Sequence, residues 1–296
     1  MTLRIGTRRS RLALAQATEV ADRLGAVGVE TEIVGMTTSG DRNVVVTGPA
    51  GLKGMFVAEI VRALREGEVD LAVHSAKDLP AEDEDGLVLA AVPERASPLD
   101  VLVTRDGELR PRSVMGTSSL RRQAQVFRWR PDVLLKDLRG NVDTRLAKLE
   151  TGEVDALVLA AAGLMRLGIV PEHAAPMSVT EMLPAPGQGC LAIQARSDDA
   201  PTLEALSALD HGESRVALTA ERSLMRRLGG GCALPLGAFA DVVDGRIRMV
   251  AAAFTPDGAR EARTAVDGPD PEEVAELAAA DLLERGAGEI LAAVRP

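Results

Sequence analysis

The stretch LRIGTRRSRLALAQATEVADRL (residues 3–24) has a pattern of apolar and polar residues from which the fold class can be predicted. A short apolar run ends at Gly6, and a turn rich in hydroxyl and arginine side chains follows it. Behind the turn, apolar residues recur at the spacing of one helix face: Ala13, Ala17, Val20 and Leu24. The pattern predicts a strand, a turn and a helix, and the same order returns in SVMGTSSLRRQAQ (113–125).

Two short repeats connect the halves of the chain. Gly-Thr stands at 6–7 and 116–117, and Gly-Glu-Val-Asp stands at 67–70 and 152–155, where it leads into apolar runs. Their shared order predicts two similar lobes in which helices alternate with mainly parallel strands. Ligands of such folds bind beyond the carboxyl ends of the strands. We therefore expect both Gly-Thr turns and the segment HSAKDLP (74–80) to lie at a binding cleft.

The remainder of the chain changes character after residues 170–189. That stretch holds four prolines without periodicity and is predicted to connect domains or to serve the site. Beyond it, three strand-like runs separated by Asp244-Gly245 and TPDG predict a three-stranded antiparallel sheet. A helix is predicted from Pro271 to about Glu284. The expected fold class is α/β, with two lobes and a small α+β C-terminal domain.

Composition excludes several classes of protein. The 296 residues, 46% hydrophobic and 26% charged, are typical of a globular chain of two or three domains. With 2% aromatic residues, a surface that stacks bases is disfavoured.

Cys190 and Cys232 stand far apart, so neither a disulfide framework nor a metal site is expected, and Cys190 is predicted to be structural. The basic start lacks an apolar core and no apolar run is long enough to span a bilayer, so we expect a cytoplasmic protein.

The net charge of −10 is unevenly distributed. Residues 110–148 contain ten basic and three acidic residues, which gives +7 and leaves −17 for the remainder. Positive charge concentrated in an acidic chain with few aromatic residues predicts a small or oligomeric anion as the ligand. Salt-dependent nucleic-acid binding through residues 110–148 is an alternative, against which the acidic remainder argues.

Four segments contain candidate binding or catalytic residues. The turns TRRS (7–10) and TSSLRR (117–122) place hydroxyl groups, backbone N–H groups and arginines at helix starts, a combination that binds carboxylates or phosphates. Plain N-capping beside solvated arginines would give the same pattern. Asp78 beside Lys77 is either part of a surface ion pair or a carboxylate that hydrogen-bonds a developing cation or relays protons. Cys232 follows three glycines and is an attachment point or nucleophile, unless it is a buried apolar group.

Eight segments between residues 6 and 240 together resemble, in order, the hydroxymethylbilane synthase (porphobilinogen deaminase) family: GTRRSRLALAQ, KGMFVAEI, HSAKDLP, GTSSLRRQ, LRGNVDTRL, LVLAAAGLMRLG, PAPGQGC and GGGCALPLGAFA. The resemblance implies three domains, of which two are similar to type II periplasmic binding proteins. The implied bounds are 1–94 with 190–208, 98–185, and 213–296.

The resemblance also implies a transferase of tetrapyrrole and heme biosynthesis. Such an enzyme condenses four porphobilinogen molecules head to tail with release of ammonia, on a covalent dipyrromethane cofactor assembled from substrate. It then releases the linear tetrapyrrole by hydrolysis. The implied partner is the small molecule porphobilinogen, with no nucleic acid or membrane, and the enzyme is expected to be a monomer. A non-catalytic protein that binds small anions on the same two-lobed fold is the alternative.

Roles for individual residues follow from the matching motif positions. Cys232 would hold the cofactor through a thioether, and Asp78 would be the catalytic aspartate. The implied cofactor-binding residues are Ser75, Lys77, Thr117, Ser118, Ser119, Arg121, Arg122, Arg139 and Gly140. The implied substrate-binding residues are Arg8, Ser10, Lys53, Arg145, Arg166 and Gln188. The chain departs from the family pattern at Leu99, where an arginine is usual, and in residues 38–41 and 51–54, so loop motion and rate do not follow from the resemblance.

Overall fold

A computed structural model describes residues 2–36, 51–230 and 234–294, with side chains in the second range from residue 57 onward. Residues 38–41, the side chain of Lys53 and Cys232 therefore lie outside the described part of the chain. Within the described ranges, no helix is both long and apolar enough to cross a membrane.

The first third of the chain builds most of lobe 1. Its elements are β1 (Thr2–Arg8), α1 (Arg11–Ala26), β2 (Glu30–Met36), α2 (Gly51–Arg65), β3 (Leu71–Ser75), a 3-10 turn (Ala76–Asp78) and β4 (Leu87–Ala91). Helix α1 begins behind Ser10, whose hydroxyl accepts a hydrogen bond from the backbone of Ala13. The apolar face predicted for this helix is buried, which confirms the predicted strand, turn and helix.

The next segment builds lobe 2 and then returns to lobe 1. Its elements are β5 (Asp100–Thr104), β6 (Val114–Gly116), α3 (Leu120–Trp129), β7 (Leu134–Lys136), α4 (Val142–Glu150), β8 (Ala156–Ala160), α5 (Ala161–Arg166), β9 (Ala174–Pro176), β10 (Leu191–Arg196) and α6 (Ala200–Ser207). Strand β9 lies within the stretch predicted to be irregular. It has three residues at a sheet edge, where proline is tolerated, and is too short to leave a periodic signal.

The two large sheets have the same topology. Lobe 1 has the strand order β2-β1-β3-β10-β4, and lobe 2 has the order β7-β6-β8-β5-β9. In each sheet one strand, β10 or β5, runs antiparallel to both neighbours, and the other four share one direction. The mainly parallel lobes predicted from the sequence are therefore confirmed. The chain passes between the lobes through two crossing segments, 92–99 and 177–190.

The sequence repeats occupy equivalent places in the lobes. Asp70 precedes β3 and accepts a hydrogen bond from the backbone nitrogen of Arg4 in β1 (2.8 Å). Asp155 precedes β8 and accepts one from the backbone nitrogen of Val114 in β6 (2.9 Å). Asp70 therefore joins β3 to β1, and Asp155 joins β8 to β6. Both contacts lie at the end of the sheet where these parallel strands begin.

The C-terminal domain has its own sheet and core. It contains α7 (Gly212–Arg227), β11 (Leu236–Val243), β12 (Arg246–Phe254), β13 (Glu261–Gly268), α8 (Pro271–Glu284) and α9 (Ala287–Ala292). The strands form an antiparallel sheet in the order β11-β12-β13, and the helices bury an alanine- and leucine-rich core against it. The predicted three-stranded sheet and the helix from Pro271 are confirmed, and with them the expected fold class.

A buried ion pair fastens the C-terminal domain to both crossing segments. Arg95, in the first segment, donates hydrogen bonds to Glu221 of α7 (2.7 Å) and to the carbonyl of Gln188 in the second segment (2.9 Å). Glu221 is fully buried and also accepts hydrogen bonds from the backbone nitrogens of Gly187 (2.6 Å) and Ala240 (2.7 Å). Both crossing segments, α7 and β11 therefore meet at one carboxylate.

Candidate functional site

The predicted binding segments lie at the carboxyl ends of parallel strands in both lobes. The turn 8–10 follows β1 and the 3-10 turn follows β3, while residues 117–119 follow β6 and helix α5 follows β8. An ion pair between Arg11 of α1 and Asp143 of α4 (2.5 Å) joins the lobes along this edge. The two lobes therefore border a common cleft, lined by the segments that the repeats predict.

The centre of the site is a buried cluster of three charged side chains in lobe 2. Asp100 opens β5 and is fully buried, and the side chains of Arg121 and Arg122 in α3 are 4% and 7% exposed. Arg121 Nη2 donates to Asp100 Oδ2 (2.9 Å), and Arg122 Nη2 donates to Asp100 Oδ1 (2.7 Å). Burial alone would raise the pKa of Asp100, but the charges of Arg122 and Arg121 hold that pKa well below its usual range. One buried anion thus faces two buried cations.

The GQG loop (187–189) covers this cluster. Gln188 is 1% exposed, and its Nε2 donates to Asp100 Oδ1 (2.8 Å). Gly187 has φ +74°, and a Cβ at this position would lie 3.0 Å from the backbone nitrogen of Lys77 in lobe 1. Glycine therefore permits both the left-handed backbone and the close approach of the loop to the 3-10 turn.

Lobe 1 brings a lysine and the predicted catalytic aspartate to the same cleft. Lys77 is half-buried and Asp78 is exposed on the 3-10 turn after β3. Burial, and then the charge of Arg122, lowers the pKa of Lys77 to about 8. Arg145 of α4 also lies among these charges: burial and Arg122 lower its pKa to about 10, whereas Asp78 acts to raise it. Together with the buried cluster, these side chains give the cleft an excess of positive charge.

The hydroxyl residues predicted at the site lie at strand and helix ends. Ser119 caps α3, and its Oγ accepts a hydrogen bond from a backbone nitrogen of the first helical turn (3.4 Å). Thr117 is buried, its Oγ1 accepts from the backbone nitrogen of Ser119 (3.2 Å), and Ser118 between them is half-buried. In lobe 1, Ser75 Oγ accepts from Gln16 Nε2 (3.2 Å). The alternative of plain N-capping beside solvated arginines is therefore wrong for α3, because Arg121 and Arg122 are buried.

Four other predicted residues surround the cleft. Arg8 ends β1, and Ser10 follows it as the cap of α1. Arg139 is exposed in a surface ion pair with Asp137 (3.4 Å). Gly140 has φ +123°, and its carbonyl accepts a hydrogen bond from Arg145 Nε (2.9 Å). The structure thus places these residues near the strand ends, with Arg139 directed into a surface pair.

Arg166 is engaged in a contact between the lobes. Its Nε donates to Glu19 Oε2 of α1 (2.8 Å), and its Nη2 donates to the carbonyl of Gly189 (3.2 Å). A ligand carboxylate would have to displace Glu19 to form the same ion pair. The roles of Lys53 and Cys232 stay predictions, since these groups lie outside the described residues. Cys190 is buried, and burial raises the pKa of its thiol to about 12, as expected of a structural cysteine.

Sequence patterns do not single out Asp100 or the Arg95–Glu221 pair. An aspartate at the head of a strand is also a common turn residue, and the only local signal is a charge opening the apolar run DVLVT (100–104). Arg95 and Glu221 stand 126 residues apart, so only the folded chain shows that they meet.

Buried guanidinium groups, a half-buried lysine and a helix N-terminus around one cleft are typical of a two-lobed anion-binding protein. Two family models match this chain: "Porphobilinogen deaminase, dipyromethane cofactor binding domain" over residues 3–204, and "Porphobilinogen deaminase, C-terminal domain" over residues 216–284. The chain therefore belongs to the porphobilinogen deaminase family, which confirms the resemblance seen in its motifs. Its two lobes correspond to the dipyrromethane-cofactor-binding domain of that family.

Individual relatives match along almost the whole chain. Proteins named porphobilinogen deaminase from Desulforudis audaxviator and Brevibacillus brevis are 48% and 44% identical to it, and each alignment covers 98% of this chain and 97% of the relative. Among solved structures, the methionine-binding protein MetQ aligns at 12% identity with a TM-score of 0.45, over 72% of this chain and 92% of MetQ. The strand orders, rather than this distant alignment, define the two lobes.

Proposed function

We propose that the chain is a transferase that makes hydroxymethylbilane. It joins four porphobilinogen molecules head to tail, releases ammonia at each addition, and finally hydrolyses the linear tetrapyrrole from its attachment. The observation that carries the proposal is the cationic cleft at the strand ends of both lobes, in a chain that matches both domains of the porphobilinogen deaminase family. Each porphobilinogen carries two carboxylates, and such a cleft is suited to holding a growing polyanion.

The residues of the cleft fit a dipyrromethane cofactor. Its carboxylates require N–H donors and positive charge, which Arg121, Arg122 and Lys77 supply in a largely buried setting. We assign the remaining cofactor contacts to Ser75, Thr117, Ser118, Ser119, Arg139 and Gly140, and the covalent attachment to Cys232. When bound, this group supplies the primer to which pyrrole units are added.

Substrate carboxylates are assigned to other cations around the cleft. These are Arg8, Lys53, Arg145 and Arg166, together with the polar residues Ser10 and Gln188. Arg145 lies near both Arg122 and Asp78, so a carboxylate bound there would be close to the proposed catalytic group. Gln188 Nε2 is occupied by Asp100, and its contribution would be to hold the GQG loop over the arginines.

Asp78 is the proposed catalytic residue. It is exposed to the cleft at the end of the 3-10 turn, beside Lys77 and within electrostatic reach of Arg145. A carboxylate in this place can offset the positive charge that develops on the substrate as ammonia leaves. The flanking cations Lys77 and Arg145 would bind substrate carboxylates beside Asp78 and so bring the reacting part of the substrate near it.

Domain bounds, oligomeric state and location form part of the same proposal. The bounds 1–94 with 190–208, 98–185, and 213–296 are supported by the return of β10 to the first sheet. The enzyme would act as a monomer in the cytoplasm on a small-molecule substrate, without a nucleic-acid or membrane partner. A thioether at Cys232 requires a reduced thiol before attachment, and the cytoplasm maintains reduced thiols.

Intact-mass measurement and an activity assay on the purified chain test the proposal. We expect the mass of two pyrrole units on the wild-type chain, and loss of that mass in Cys232→Ser. Cys190→Ser is the matched control, which should keep the added mass because the thiol of Cys190 is buried. A wild-type chain that stays unmodified and inactive after incubation with porphobilinogen would refute the proposal.

Asp78→Ala separates an enzyme from a non-catalytic anion-binding protein on the same fold. The enzyme should lose about 100-fold or more in kcat, because a group that stabilises charge in the transition state is removed. A binding protein would retain its anion affinity in Asp78→Ala and would not turn over porphobilinogen in either form. It would also give no colour with an aldehyde reagent for pyrroles after purification.

A further inference from the structure

Asp100 occupies a position at which the other lobe has an ordinary core residue. It opens β5 and pairs with Ala160, the last residue of β8, while Leu191 opens β10 and pairs with Ser75, the last residue of β3. Both Asp100 and Leu191 are buried. A carboxylate at a core position is costly to desolvate and is stable only when its partners compensate for that cost. The difference between the lobes therefore indicates a specific use for this carboxylate.

Both oxygens of Asp100 hold the arginines. Oδ1 accepts from Arg122 Nη2 (2.7 Å) and from Gln188 Nε2 (2.8 Å). Oδ2 accepts from Arg121 Nη2 (2.9 Å) and from Arg122 Nε (3.4 Å). Arg121 Nη1 is bound in turn to the carbonyl of Leu183 (2.6 Å). Each guanidinium group is thus fixed through two of its nitrogens.

The common acceptor brings together two side chains at the start of α3 that the helix projects apart. Adjacent residues of a helix project in different directions and do not face each other. Arg121 and Arg122 nevertheless converge, because both donate to the one carboxylate that β5 places between them. The cluster keeps a net charge of one positive unit, which remains available to an anionic ligand.

We propose that Asp100 is a positioning residue, which holds Arg121 and Arg122 in the orientation in which they bind the carboxylates of the pyrrole ligand. The proposal rests on the proposed function, which supplies that ligand. Through Gln188, the same carboxylate also holds the GQG loop over the two arginines. Loop and arginines are therefore positioned by a single group that need not touch the ligand.

Asp100→Asn distinguishes a positioning role from a simple effect of charge, because the two explanations predict opposite changes in carboxylate binding. If only charge mattered, removal of an anion would strengthen carboxylate binding. If Asp100 positions the arginines, the variant should need about tenfold more porphobilinogen for half-maximal cofactor loading. The full-length chain is produced in cells that make no porphobilinogen and is then titrated with it. Intact mass gives the fraction of chains that carry two pyrrole units.

Asp155→Asn is the matched control for this experiment. Asp155 also lies in lobe 2 and pairs with an arginine, Arg105 (2.9 Å), but it stands before β8 at the far end of the sheet. This variant should load like the wild type. The proposal would be overturned if Asp100→Asn reached half-maximal loading at the same porphobilinogen concentration as this control, or at a lower one.

Asp100→Glu provides a second test that keeps the charge. The added methylene displaces the carboxylate, so a positioning role predicts weaker loading of the folded variant, and a pure charge role predicts wild-type loading. The latter result would overturn the proposal even if Asp100→Asn failed to fold. A wild-type chain that never loads would refute the proposed function instead, so the two failures are distinguishable.

Discussion

Lobe 1 and lobe 2 share a strand order and helix starts, yet they differ in charge at equivalent positions on one helix and one strand. Ser10 and Ser119 cap α1 and α3, and the residue six positions further on is a buried glutamine in each helix, Gln16 and Gln125. Three residues after the cap, lobe 1 has Ala13 and lobe 2 has Arg122; both are buried.

The second difference lies on the strand opposite. Leu191 in lobe 1 stands where lobe 2 has Asp100. Arg121 likewise stands where lobe 1 has Leu12, so three changes from apolar to charged give lobe 2 a buried ion cluster that lobe 1 does not share at these positions. Because buried charges are stable only when paired, the arginine and the aspartate require each other. Lobe 1 instead contributes groups at the cleft surface, among them Lys77, whose charge can be titrated.

Asp100→Leu makes lobe 2 resemble lobe 1 at this position and should have the largest effect. It leaves two buried guanidinium groups without their carboxylate, so we expect a loss of about 3–5 kcal/mol in the free energy of unfolding of the unloaded chain. Denaturant titration measures that free energy. Leu191→Met is the control in lobe 1 and should cost less than about 1.5 kcal/mol. Equal losses in the two variants would contradict the distinction between the lobes.

Lys77→Arg tests whether the pH dependence of ligand binding belongs to lobe 1. Lys77 is charged below its pKa of about 8 and neutral above it, so carboxylate affinity should fall as the pH rises through that value. The loss should approach about tenfold, since a hydrogen bond to a charged group contributes about 1.5 kcal/mol. The arginine variant stays charged and should show no such step. The loading titration at a series of pH values measures both profiles, and parallel profiles would exclude Lys77 as the titrating group.

Glu19→Gln examines the contact between the lobes and should have the smallest effect. It removes the charged partner of Arg166, which a ligand would otherwise have to displace. We expect KM for porphobilinogen to fall by about twofold to fivefold, because partly exposed ion pairs contribute no more than about 1 kcal/mol. Asp143→Asn breaks the ion pair of Arg11 between the lobes without touching Arg166 and should leave KM unchanged. If KM fell equally in both variants, the cause would be weaker contact between the lobes and not the release of Arg166.

The sequence predicts those features that depend on neighbouring residues. The strand, turn and helix at residues 3–24, the equivalent unit around residue 116 and the C-terminal sheet all follow from local periodicity and turn residues. The repeats also locate the cleft, because equivalent segments must end at equivalent edges. Membership of the family follows from the order of the motifs.

Pairing between distant charges could not be predicted in the same way. Arg166 was expected to bind substrate, but its partner Glu19 lies 147 residues away and is reached only through the packing of α5 against α1. The positive stretch 110–148 also overstates the charge at the cleft, since Arg110 and Arg130 form ion pairs with acids on the surface. Which cations a ligand meets depends on tertiary contacts that no local pattern encodes.

The hydrogen bonds around Glu221 hold together the two segments that connect the lobes. Both crossing segments are tied to Glu221 or Arg95, and the C-terminal domain is tied to the same pair. The Arg11–Asp143 pair, whose side chains are partly exposed, lies between α1 and α4 and is far easier to break than the buried pair. When a growing tetrapyrrole widens the cleft, we therefore expect the Arg11–Asp143 contact to open before the buried contacts around Glu221.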